Sequence, residues 1–105
     1  EQNRRCDDKA FAYDVAADRW RELAPLPRPR GAAAAVVLEG RIHLIGGATD
    51  PAPERASIAW HEAYDPATDR WELRRPIPAA RDHVGAVTHA GVIHVVGGRF
   101  NTFQY

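Results

Sequence analysis

The chain has 105 residues, 14 basic and 14 acidic side chains, five His, one Cys and no Met, with 45% apolar residues. Such a length holds one small domain at most, and zero formal charge removes the basic excess on which a nucleic-acid groove or an anionic membrane surface relies. Arg supplies 13 of the 14 cations, scattered along the chain as on a solvated surface. Cys6 has no second cysteine for an intrachain disulfide, no Cys/His set has zinc-ligand spacing, and no metal or cofactor is expected. The longest apolar stretch, 32–38, falls far short of the ~20 residues of a membrane helix.

In chain order, residues 11–23 supply the first two short strands. The small apolar run 32–38, with turn signals on both sides, predicts a strand buried on both faces. Glu39-Gly40 makes a two-residue turn into β-branched Arg41–Ile45, so the two form a hairpin. Gly46-Gly47 ends that strand, where the backbone needs a conformation or a close approach that side chains forbid. After a loop of Pro, Asp and Ala over 48–56, the run 58–64 predicts a third strand. Asp65-Pro66-Ala67-Thr68-Asp69 is turn chemistry, and 70–74 is a fourth strand closed by Pro76 and Pro78. No helical period of any length is present.

The same pattern occurs twice. Tyr13-Asp14 recurs as Tyr64-Asp65, Asp18-Arg19-Trp20 as Asp69-Arg70-Trp71, and Pro25-x-Pro27 as Pro76-x-Pro78. Arg30 recurs as Arg81, Gly40-x-Ile42-His43 as Gly91-x-Ile93-His94, and Gly46-Gly47 as Gly97-Gly98. Every pair is offset by 51, and 16 of the 35 positions in 13–47 are identical to their partners. Four short antiparallel strands per period cannot bury both faces of one sheet, so copies must pack against each other, radially in a propeller. The motif order resembles the kelch repeat over residues 11–100: a strand pair ending in Gly-Gly, then Tyr-Asp, Trp, Pro and Arg.

The resemblance implies an all-β fold, a partial kelch β-propeller with one full four-stranded blade flanked by two half blades. With strands labelled a to d, 1–10 is an inter-strand loop and 11–23 supplies strands c and d of one blade. Residues 31–75 form a complete blade, 82–97 supply a and b of a third, and 98–105 lead toward a further strand c. Cut mid-blade at both ends and lacking an initiator Met, the chain is expected to be an excerpt, with the missing chain supplying the rest of a ring of ~4–8 blades.

An a–b hairpin places the start of a and the end of b together, so the d–a loops (24–31, 76–83) and b–c loops (48–57, 98–105) open on one face. Kelch propellers resembling this chain bind peptides or small molecules on that face, around the channel. The ligand-binding candidates there are Arg30, Arg81, His83, Arg99 and Asn101, with Arg28, Asp82 and Phe100 nearby. Arg30 and Arg81 either present a fork to carboxylates or sugar hydroxyls or bond neighbouring loop carbonyls. His83 breaks the repeat, its partner being Ala32, and is either a ligand contact or a satisfied loop histidine. Asp82 and His83 are expected to point opposite ways, as neighbours in a strand do. Tyr13, Trp20, Gly46, Gly47, Tyr64, Trp71, Gly97 and Gly98 are structural repeat residues. His43 and His94 are expected in core or inter-blade hydrogen bonds and His61 and His89 without a partner at ligand spacing, while Trp60, whose repeat partner is Lys9, is either packed or an exposed contact.

Two functions follow from the resemblance. The first is a binding module, taking a protein or a small, possibly carbohydrate ligand at the channel mouth. The alternative is part of a carbohydrate-active kelch enzyme, sugar-oxidase-like (galactose-oxidase-like) or sialic-acid-mutarotase-like. Copper radical oxidation needs a Tyr cross-linked to Cys with His ligands, a set this stretch does not match, and no catalytic constellation is visible.

Overall fold

The computed structural model describes residues 6–49 and 56–101. Among them, eight strands follow in order: β1 Phe11–Asp14, β2 Arg19–Glu22, β3 Ala34–Leu38, β4 Arg41–Ile45, β5 His61–Asp65, β6 Arg70–Leu73, β7 Gly85–His89 and β8 Val92–Val96. They form a four-stranded antiparallel sheet, β3-β4-β5-β6, between two hairpins, β1-β2 and β7-β8. No helix among the described residues is long and apolar enough to cross a membrane. Parts of the expected inter-strand loops, namely 1–5, 50–55 and 102–105, lie outside the described residues.

The turns form where their chemistry dictates. Glu39 and Gly40 have φ of 52° and 76°, Ala90 and Gly91 of 51° and 78°, the left-handed pair that a tight right-twisted hairpin demands. The two hairpins pair Leu38 with Arg41 and His89 with Val92. In the β5–β6 turn the Asp65 carbonyl accepts from Asp69 N–H at 2.9 Å, and its carboxylate from Ala67 N–H at 3.0 Å. The Tyr64 hydroxyl donates to Asp69 at 2.7 Å, and Tyr13 to Asp18 in the same way, which gives the five-residue Tyr-to-Asp step a physical reason. Asp69 also accepts from Ala24 N–H, while Trp71 Nε1–H donates to the Ala24 carbonyl, both at 2.9 Å. That joint ties the four-stranded sheet to the segment following β2.

Gly46 and Gly47 make a tight passage. Their φ values are 69° and 115°. A Cβ on Gly46 would lie 2.7 Å from the Arg81 carbonyl oxygen, and one on Gly47 2.6 Å from that of Gly31. Their N–H groups donate to Trp60 and Arg81 carbonyls, each at 2.8 Å.

Three local expectations are corrected. Strand a begins at Ala34, because Ala32 takes a left-handed φ of 57° that no ladder accommodates. It is not buried on both faces: Ala34 is buried while Val37 is 64% exposed. Strand c begins at His61 rather than 58. The carbonyls of Ile58, Ala59 and Trp60 instead accept from Arg81, Ile77 and Gly46, so the chain there bridges loops instead of extending a sheet. Ile45, Ala63 and Tyr64 form the apolar centre of the four-stranded sheet, and two carboxylates, Glu62 and Asp82, are buried as deeply.

Candidate functional site

Loops from the two repeat units meet at one end of the sheets. Short antiparallel bridges join Gly31 to Ala48, Ala48 to Ser57, and Asp82 to Arg99. His83 N–H donates to the Ala32 carbonyl at 2.8 Å, tying the second unit to the first.

Asp82 is the centre of this junction and is fully buried. A carboxylate removed from water needs donors or opposite charge around it. Ser57 Oγ lies 3.5 Å from Asp82 Oδ2, His83 Nδ1 3.4 Å from Oδ1, and Arg99 Nε 3.9 Å from Oδ1. Ser57 Oγ in turn accepts from Asn101 N–H at 2.8 Å, and Asn101 Oδ1 accepts from Ser57 N–H at the same distance. Arg99 Nη2 sits 2.9 Å from His83 Nδ1. Arginine has only donors, so His83 Nδ1 accepts from it, and the 3.4 Å approach of the same nitrogen to Asp82 is a contact and not a hydrogen bond. The result is a buried carboxylate under two half-exposed heads, His83 and Arg99, whose side chains are 54% and 53% accessible.

The expectation that Asp82 and His83 point apart is therefore corrected. His83 has φ of 54°, which breaks strand alternation and turns its ring back toward its neighbour. The left-handed position itself belongs to the repeat, since Ala32 takes it too.

A second cluster surrounds Glu62, which is also sealed from solvent. Arg28 Nε and Nη2 each lie 2.6 Å from Glu62 Oε2, Arg30 Nη2 pairs with Oε1, and Arg30 Nη1 donates to the Gly46 carbonyl at 3.4 Å. The Trp60 ring has the Arg28 guanidinium 4.4 Å and the Arg30 guanidinium 5.1 Å from its centre, a cation–π arrangement. Burial pulls the Arg30 guanidinium below the ordinary arginine value, with the Glu62 hydrogen bond and charge acting in the opposite direction. Arg30 thus faces the interior, held by a carboxylate and a loop carbonyl. Of the two readings of Trp60 the structure has the packed one, half-buried against the two arginines.

Arg81, the repeat partner of Arg30, is exposed. It lines a groove of about 590 Å³ with Ile77, Pro78, Ala79, Ile93, Val95 and Gly97. Ile93, Val95 and Gly97 lie 51 residues after Ile42, Leu44 and Gly46, the edge of β4 that receives β5. The groove therefore has the lining of a strand seat. The structure brings His83, Arg99 and Asn101 together and holds Arg30 and Arg81 elsewhere.

His43 makes a hydrogen bond within the blade core, and its partner is His61, for which the sequence suggests none at ligand spacing: the rings meet across β4 and β5 with Nδ1 and Nε2 2.8 Å apart. Sequence reasoning passed over Ser57, Glu62 and this pair. Ser57, Glu62 and His61 break the repeat, with Cys6, Phe11 and Ala10 in their places, and that departure is the available signal, whereas His43 keeps the repeat as His94.

No family model matches the chain. It is 33% identical over 92 residues to Beta-scruin of Limulus polyphemus, covering 88% of this chain and 10% of that protein. It is 32% identical over 97 residues to Kelch-like protein 40 of Mus musculus, covering 92% and 15%. With Kelch repeat and BTB domain-containing protein 12 of Danio rerio it shares 36% identity over 85 residues, 75% of this chain and 14% of that protein. The solved structure of YjhT superposes with a TM-score of 0.70 at 20% identity, over 93% of this chain and 36% of that one. The chain is built of kelch repeats. In kelch terms, β3–β6 are one whole four-stranded blade and the two hairpins are half blades. The kelch chain spans 10% to 15% of the length of these curated relatives.

Proposed function

We propose that this chain contributes a recognition surface of a kelch propeller, with His83, Arg99 and Asn101 as its ligand contacts. In this reading 31–75 is the blade unit, and 11–23 and 82–97 belong to the blades on either side. The observation that carries the proposal is the pair of half-exposed heads, His83 and Arg99, set over the buried Asp82 carboxylate. A buried anion fixes the cationic head without neutralising its outer side, so Arg99 keeps donors for a partner while losing little rotamer freedom on binding. Arginine's fork suits carboxylates or vicinal hydroxyls, and a partly exposed imidazole adds a donor or an acceptor. The names of two relatives, Kelch-like protein 40 and Kelch repeat and BTB domain-containing protein 12, support the repeat as the functional module. A protein segment is the preferred ligand class because the contacts lie on loops over a wide junction and not in an enclosed cavity.

The test is selection of a displayed random peptide library on the full chain, with the selected peptides titrated against His83→Ala and Asn101→Ala. At least one variant is expected to weaken binding about tenfold, the ratio for loss of one charged or polar contact worth about 1.4 kcal/mol. Selected peptides that bind both variants as well as the wild type overturn the proposal.

A further inference from the structure

The His43–His61 pair takes no part in the junction just described, and its bonding constrains where protons sit. His61 Nδ1 lies 2.9 Å from the Arg75 carbonyl, which can only accept, so Nδ1 carries a hydrogen. In the neutral ring His61 Nε2 is then a lone pair, and His43 Nδ1–H donates to it. One added proton keeps the bond with its direction reversed: the His61 imidazolium donates from Nε2 to His43 Nδ1. A second added proton leaves two N–H groups facing each other at hydrogen-bond distance on two cations, and the bond cannot persist.

The surroundings oppose that second proton. On His43's face of the sheet stand Arg41 from β4, Glu72 from β6 in the same cross-strand row as His43 and Ala63, and Arg74 just beyond β6. Glu39 lies in the β3–β4 turn, and Val36 of β3, opposite His43, is uncharged. Two of the anions are engaged: Arg74 Nε lies 3.1 Å from Glu72 and Arg41 Nη1 3.6 Å from Asp65. Burial first, then the charges of His61, Arg74 and Arg41, hold the His43 imidazole below its ordinary value, against a smaller opposing contribution from Glu39.

We propose that His43 and His61 form an acid-sensitive latch that ties β4 and β5 to the root of the loop 74–83. Losing the His43 bond frees His61, and with it the hydrogen bond to the Arg75 carbonyl. Other ties hold that loop to the chain before β5, among them Ile77 N–H to the Ala59 carbonyl at 3.0 Å, Arg81 N–H to the Ile58 carbonyl at 3.1 Å, and Gly47 N–H to the Arg81 carbonyl and His83 N–H to the Ala32 carbonyl, each at 2.8 Å; the first two lie nearest the root. The latch works whatever the loops bind, since its parts are two strands and a loop root. His94 holds the equivalent place in β8, where among the described residues its outer side meets no strand, so the latch is a property of the four-stranded sheet.

The sign follows from the depressed His43 value. The unfolded chain takes up the proton near pH 6.5, before the folded one, so the stabilisation is complete above that pH and is lost as pH falls through the folded value. The test uses the full chain labelled with ¹⁵N-histidine. At pH 7.5 both His43 and His61 are expected as the Nδ1–H tautomer. Between pH 7 and pH 5, protection of the Ile77 and Arg81 amides, corrected for intrinsic exchange, is expected to fall about tenfold, equivalent to one pKa unit between latched and released states. His43→Asn keeps a donor near Nδ1 without a titrating ring and is expected to flatten that fall. An Nε2–H tautomer for either ring, no loss of protection in the wild type, or an equal loss in His43→Asn each overturns the proposal.

Discussion

Replacing Gly47 by alanine tests the close approach on which the four-stranded sheet depends. The new methyl carbon would stand 2.6 Å from the Gly31 carbonyl oxygen, 3.1 Å from Arg30 Cδ and 3.3 Å from Ala33 Cβ. Gly31 O is already the acceptor for Ala48 N–H at 2.8 Å, so relief of the clash opens a bridge that closes this end of the sheet. Two costs add. A non-glycine residue at φ of 115° carries backbone strain of about 1–3 kcal/mol, and overpacking against backbone adds about 1–3 kcal/mol more. The sum, about 2–6 kcal/mol, is a large part of an ordinary domain's stability. Gly40→Ala is the control, because Gly40 has φ of 76° with nothing within 4 Å of the added Cβ, and only about 1–2 kcal/mol of conformational cost applies. Urea unfolding followed by tryptophan fluorescence reads both variants, since Trp60 and Trp71 sit at the sheet. A Gly47→Ala midpoint matching that of Gly40→Ala would refute the close-approach argument.

Glu62→Gln leaves two guanidinium groups around a neutral amide in a sealed site and is expected to cost about 3–5 kcal/mol by chemical denaturation. The double change Glu62→Leu with Arg30→Met should recover most of that loss; failure to do so would place the cost in packing around Trp60. Tyr64→Phe is expected to cost about 1 kcal/mol through the lost bond to Asp69. Burial and that same bond hold the Tyr64 phenol above its ordinary 10.0, so its stabilisation is complete below pH 10 and lost as pH rises through the folded value. Ultraviolet titration of phenolate absorbance, with Tyr64→Phe as the blank, checks the direction. His83→Ala should leave stability within about 1 kcal/mol, because the backbone bond to Ala32 remains, and a larger loss would make His83 a structural residue.

The sheet order and turns were legible because their causes are local and periodic. Glu39-Gly40 specifies its hairpin with two adjacent residues, Gly46-Gly47 marks a backbone path that side chains block, and Tyr64 and Asp69 meet across a five-residue turn. The offset of 51 then repeats each signal, so an error in one unit is exposed by the other. Strand starts were less legible, since the carbonyls of 58–60 are claimed by Gly46 and by Ile77 and Arg81 of a loop distant in sequence.

The polar clusters belong to the tertiary structure alone. Glu62 meets Arg28 and Arg30 across 34 and 32 residues, Ser57 meets Asp82 and Asn101 across 25 and 44, and His43 meets His61 across 18. No spacing rule links these positions, and none shows in both copies of the repeat. What makes them partners is burial: once the sheet seals Glu62 and Asp82 from water, each carboxylate must find donors, and the fold decides which arginine, serine or histidine is near enough. By itself the sequence determined how each blade is built, because that rests on turns and periodicity. Which side chains face a ligand, lock into the interior or share a proton was decided only when the loops closed over them.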